Sequence, residues 1–146
     1  MSDYSGLLQA IKKRVCENNG VDIFLLSVPR EDNLRVNQIW QRVAQIFILE
    51  CVLDKYRMEY GSLYSPLENE KALHHMILGI TKWSLPEIRA LSFNDCMFII
   101  SEHLQGMELP LHILEYLASL NLPTTSYRLD ELSEEDWDPK ENSFYL

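Results

Sequence analysis

Glycine is scarce in this chain: five residues, each isolated, among 146. A phosphate-cradling loop needs clustered glycines so that backbone N–H groups can turn toward the anion, and no such cluster is present. Cysteine is sparser still. Cys16, Cys51 and Cys96 are odd in number and far apart, which gives neither a disulfide framework nor a Cys-x-x-Cys metal spacing. Each falls in an apolar helical context and is expected as a reduced, buried thiol. Long apolar runs are also missing. The longest, residues 46–53, is broken by Glu50 and is too short to span a bilayer. The opening Met-Ser-Asp-Tyr-Ser-Gly places an acid where a secretory signal would carry bases. The chain is therefore expected in the cytoplasm, with no membrane contact.

Side chains that carry chemistry are no better assembled. Four histidines occur, at His74, His75, His103 and His112. Adjacent His74 and His75 would point about 100° apart on a helix, so they cannot easily share one ion. Neither His-Glu-x-x-His nor a Cys/His zinc pattern appears, and there is no Gly-x-Ser-x-Gly elbow. Carboxylate pairs exist at Glu68/Glu70 and Glu134/Glu135. Acid–base catalysis needs two carboxylates in unlike surroundings, which a polar run does not supply. The expectation is a protein that is not an enzyme and needs no cofactor and no metal.

Basic residues are what the second half lacks most. Residues 1–60 carry eight bases and eight acids, whereas residues 61–146 carry five bases and fourteen acids, which is the whole net charge of −9. Phosphate backbones require a basic face, so nucleic-acid binding is not expected. The acidity is concentrated further in residues 129–146, with seven acids against Lys140 alone. Asp130, Glu131, Glu134, Glu135, Asp136 and Asp138 surround Trp137, and Tyr127, Phe144 and Tyr145 lie beside them. Purely solvating acidic tails avoid aromatics. A segment both anionic and aromatic suits a basic protein surface, with carboxylates steering and the indole anchoring. Those six acids and Trp137 are the expected partner-binding residues, although the indole would equally serve to pin the segment to the body.

Ahead of that segment the pattern is helical throughout, so an all-α single domain of six or seven helices is expected, with residues 1–128 as the body and 129–146 packed on it or free. Residues 5–17 place Leu7, Leu8, Ile11 and Val15 on one face and Lys12, Lys13 and Arg14 on a solvated one. Residues 21–28 fit a short strand or a buried helical turn. Asn33 opens the longest helix, to about Tyr60, apolar over more than one face and so central; Gly61 is its expected C′ stop. Ser65-Pro66-Leu67-Glu68, Ser84-Leu85-Pro86-Glu87 and Ser92-Phe93-Asn94-Asp95 each look like a capped helix start. Residues 109–120 form a further helix, and residues 133–137 one turn in an otherwise extended tail. Trp40 and Trp83 are expected in the core.

A small, acidic, helical protein without catalytic residues resembles the immunity proteins of bacterial contact-dependent growth inhibition systems. The stretch Leu-His-His-Met-Ile-Leu-Gly-Ile-Thr-Lys-Trp-Ser-Leu-Pro-Glu-Ile-Arg-Ala-Leu-Ser within residues 73–104 is similar to one found in such small proteins. The resemblance covers about a quarter of the chain. It implies a stoichiometric complex with a cognate toxin, commonly a nuclease, and a chain that is monomeric when free. Nucleases hold phosphate in basic clefts, so an acidic plug would be complementary. A helical adaptor or secretion chaperone, dimeric and grooved, is the competing expectation.

Overall fold

One long helix with apolar residues on most of its circumference organises the chain. In the computed structural model, which describes residues 2–27 and 33–146, this is α2, Leu34–Tyr60. At 27 residues it is about 40 Å long. Asn33 caps it, its side chain accepting from the Val36 N–H at 3.1 Å. Ile39, Val43, Ile46, Phe47, Leu49 and Leu53 are all fully buried along it. A helix so enclosed must have neighbours on several sides. α1 (Tyr4–Asn19) packs along it through Leu7, Leu8, Ile11 and Val15. α3 (Lys71–Thr81) and α5 (Phe93–Gly106) pack against it and each other, contributing Leu73, Ile77, Cys96 and Ile100 to the core. α4 (Leu85–Arg89) rests on α3 and buries Ile88. α6 (Leu111–Ser119) adds Ile113, with Tyr116 edge-on to Phe47 at 5.8 Å. The architecture is all-α, with seven α-helices among the described residues and no strand.

Local capping explains most of the helix starts. Ser84 Oγ accepts from the Glu87 N–H and donates to Glu87 Oε1 at 2.8 Å, while Ser92 Oγ accepts from the Asp95 N–H at 3.1 Å. Ser65-Pro66 is different. The expected helix there does not form, and α3 begins only at Lys71. Leu67 and Asn69 take positive φ values of 60° and 54°, which a helix start does not permit. The cause is tertiary. Arg57 Nε donates to the Leu67 carbonyl and Nη2 to the Asn69 carbonyl, both at 2.9 Å, while the Leu67 side chain enters the core. Two charge-assisted bonds and one buried leucine outweigh a serine cap.

Two other expectations need correcting, and one open alternative is settled. Gly61 ends α2 with an extended backbone, φ −71° and ψ 153°, and not in a left-handed conformation. Its need for glycine is spatial, since a Cβ there would lie 2.5 Å from the Arg57 carbonyl oxygen and 3.1 Å from that of Pro66. Trp83 is 44% exposed and outside the core, whereas Trp40 lies within it. It follows Lys82, whose positive φ of 61° turns the chain away as α3 ends. Residues 21–28 resolve into a 3₁₀ turn at Ile23–Ser27; Val28 and Pro29 lie outside the described residues.

All three cysteines are buried and free. Burial pushes each thiol up, Cys16 and Cys96 to about 11 and Cys51 to about 12. No helix among the described residues is long and apolar enough to cross a membrane.

Candidate docking surface

The acidic segment is folded, and more so than one turn. A 3₁₀ turn at Glu134–Asp136 is followed by α7 (Pro139–Asn142) and a second 3₁₀ turn at Ser143–Tyr145. Asp138 starts α7, its Oδ1 accepting from the Glu141 N–H at 3.1 Å, and Pro139 occupies the first helical position. The segment lies on α1 and contributes Leu132 to the core. Its last residues reach the start of the chain, where the Asp3 N–H donates to the Tyr145 carbonyl at 2.7 Å. Gly6 makes room for that approach, because a Cβ there would collide with the Asp3 carboxylate and lie 2.9 Å from the Tyr145 ring.

What holds the segment is a buried ion pair. Arg42, on α2, donates from Nε to Asp136 Oδ2 at 3.0 Å, and both side chains have no exposed surface. Each of the other two guanidinium nitrogens also donates: Nη1 reaches Gln45 Oε1 at 3.0 Å and Nη2 the Ser133 carbonyl at 2.9 Å. The group also lies 4.9 Å from the Phe93 ring centre. Asp136 accepts further bonds from Asn19 Nδ2 at 2.9 and 3.1 Å and from Asn18 Nδ2 at 3.2 Å. Burial pushes the Arg42 guanidinium below its ordinary value, and the Asp136 carboxylate pulls it back up. Desolvation of two charges is costly, and it is offset here by near-complete satisfaction of their polar atoms.

The expected contact residues therefore separate by position. Asp136 is enclosed, beyond reach of a partner docked on the surface. Trp137 is half-buried, stacked on Phe93 at 5.3 Å and 19°, with Nε1 donating to Glu50 Oε1 at 3.3 Å. It pins the segment. Glu134 is exposed but occupied: it accepts from the Asn94 N–H at 2.9 Å and from Asn94 Nδ2 at 2.7 Å, placing its charge at the N-terminus of α5. Asp138 is partly covered. Asp130, Glu131 and Glu135 are exposed. Arg128 faces the first two, 3.7 Å from Asp130 and 3.5 Å from Glu131.

Three residues that the sequence did not single out matter here. Arg42 is the anchor. Glu50, 1% exposed beneath Trp137 and Asn142, is a carboxyl that burial pushes above its ordinary 4.5. The neighbouring Asn142 and Trp137, then Arg57 and Arg14, act in the opposite direction. Phe98 is the third. It is 83% exposed on α5 and shares with Asp130 and Arg128 a cleft of about 320 Å³. Arg42 and Glu50 carry a signal in retrospect, being charges on the apolar face of the central helix. Phe98 carries none, because its helix is amphipathic only in part. Among the described residues no three His, Cys, Asp or Glu side chains gather as a metal site. Compared with known proteins, the chain matches no family model, no curated protein and no solved structure.

Proposed function

We propose that this protein is an immunity-type inhibitor that captures a basic toxin domain, a nuclease, in a stoichiometric complex. The observation that carries this reading is the docking of the acidic segment: a buried pair fixes its inner side, so that Asp130, Glu131 and Glu135 stand exposed on an ordered segment, with Asp130 sharing a cleft with exposed Phe98. A preordered anionic face loses little entropy on binding and attracts a phosphate-binding cleft from a distance. Exposed carboxylates raise the association rate, and an aromatic ring seated in a partner slows dissociation. Phe98 takes the anchoring role, since the Trp137 ring is engaged within the fold.

The test is titration of the purified protein against the nuclease domain encoded beside its gene. Nuclease activity should fall to zero at one equivalent, with an association rate that drops as salt rises. The triple variant Asp130→Asn, Glu131→Gln, Glu135→Gln should associate at least tenfold more slowly and lose the salt dependence, with an unchanged circular dichroism spectrum. Full nuclease activity at a tenfold excess of the protein would exclude this reading.

A further inference from the structure

Between α3, α4 and the loop before α3 the charge pattern reverses. A cleft of about 220 Å³ opens there. Its polar side is made by Lys71, His74 and Arg89, and its apolar side by Leu67, Leu78 and Leu85. In a chain with 22 acids, neither Lys71 nor Arg89 lies within ion-pair distance of a carboxylate among the described residues. Glu87, the nearest acid in sequence to Arg89, is turned to Ser84 at 2.8 Å. His74 is half-buried in the same cleft, and burial holds its imidazole below the ordinary 6.5; Glu70 acts against this, and Arg89, with the smaller effect of the two, adds to it. The remaining imidazole at the cleft, His75, is bonded through Nδ1 to Tyr56 Oη at 2.6 Å, which fixes the wall on the α2 side.

We propose that this cleft binds a small organic anion with a short apolar tail, its oxyanion head between Lys71, Arg89 and His74 and its tail on Leu67, Leu78 and Leu85. Lys71 and Arg89 line this cleft with no carboxylate at ion-pair distance, so a bound anion would supply the counter-charge they lack while the leucines remain to be covered. The volume is below the roughly 300–1,000 Å³ of sites for drug-sized molecules, so the occupant is small. A carboxylate and a phosphate monoester share the required head chemistry. The cleft shares no residue with the acidic face, and its occupancy does not depend on the toxin-binding reading.

The experiment is a nuclear magnetic resonance titration of the His74 ring in the intact protein, with hexanoate, hexyl phosphate, inorganic phosphate and 1-hexanol as separate probes. Hexanoate or hexyl phosphate should shift the His74 signals saturably, with a Kd of about 1 mM, and should raise the pH at which the ring titrates. Whichever binds more tightly identifies the head. Inorganic phosphate should bind at least tenfold more weakly, and hexanol should leave the His74 titration unmoved. Lys71 and Arg89 are exposed, so Lys71→Gln and Arg89→Gln should fold and each weaken binding about tenfold. Leu85→Ala should weaken the hexyl anions and leave inorganic phosphate unchanged. Equal binding of hexanol and hexanoate would reduce the cleft to an apolar patch and overturn the proposal. So would an unchanged affinity in the Lys71→Gln, Arg89→Gln double variant.

Discussion

Arg42 and Asp136, 94 positions apart in sequence, meet at 3.0 Å in the interior, and this pair joins the acidic segment to the central helix. Removing one member leaves the other charge buried without its partner, which is far worse than removing both. Asp136→Asn should cost about 3–5 kcal/mol in urea unfolding. Arg42→Met combined with Asp136→Leu should cost markedly less than the sum of the single changes. Additive costs in that cycle would show that the pair is not coupled.

The indole of Trp137 covers Glu50 and stacks on Phe93. Trp137→Ala should lower stability by about 2 kcal/mol, through lost packing and an exposed buried carboxyl. Trp137→Phe should recover the stacking part and not the hydrogen bond. Thermal melts of the three proteins give this order directly; a melting temperature unchanged in Trp137→Ala would mean that the ring does not pin the segment.

Glu50 predicts a dependence on pH. Its carboxyl titrates above 4.5 in the folded chain and near 4.5 in the unfolded one. The folded state thus holds the proton more tightly, and this stabilisation is fully present below 4.5 and lost as pH rises through the folded value. Glu50→Gln should therefore be more stable than the parent at pH 8, by about 1 kcal/mol, and the difference should close below pH 4.5. Urea midpoints across that range provide the measurement, and a gap independent of pH would contradict it.

Arg128 bridges two exposed acids, Asp130 and Glu131, and such surface pairs add little to stability, about 0–1 kcal/mol. Arg128→Gln should leave the melting temperature within error. On the proposed function it should also speed association with the basic partner severalfold at low salt, because two carboxylates lose their local cation. Stopped-flow mixing at two ionic strengths would decide; slower association would identify Arg128 as a direct contact.

How far the sequence led depends on the range of the interactions involved. Asn33, Ser84 and Ser92 bond to residues three positions away, so their caps are written in neighbouring letters. The breadth of α2 was equally local. Ser65-Pro66 failed because Arg57 takes the carbonyls of Leu67 and Asn69, an interaction that no window around residue 65 reveals. Asp136 could not be told from Glu134 and Glu135 for the same reason. In an acidic run every carboxylate looks alike, and which one turns inward is decided by Arg42 on another helix and by Asn18 and Asn19 on a third element. The half-buried Trp137 follows from that turn.

The three buried thiols give this molecule built-in clocks. Cys16 sits on α1, Cys51 on α2 and Cys96 on α5. With their acidities pushed to about 11, 12 and 11, hardly any reactive thiolate exists at neutral pH while the helices stay closed. The rate at which each sulfur takes up a small alkylating agent therefore measures how often its own helix opens. Cys16 lies next to the Asn18 and Asn19 clasp on Asp136, so its clock should run faster whenever the acidic segment lets go, whereas that of Cys51, on the central helix, should keep the time of global unfolding.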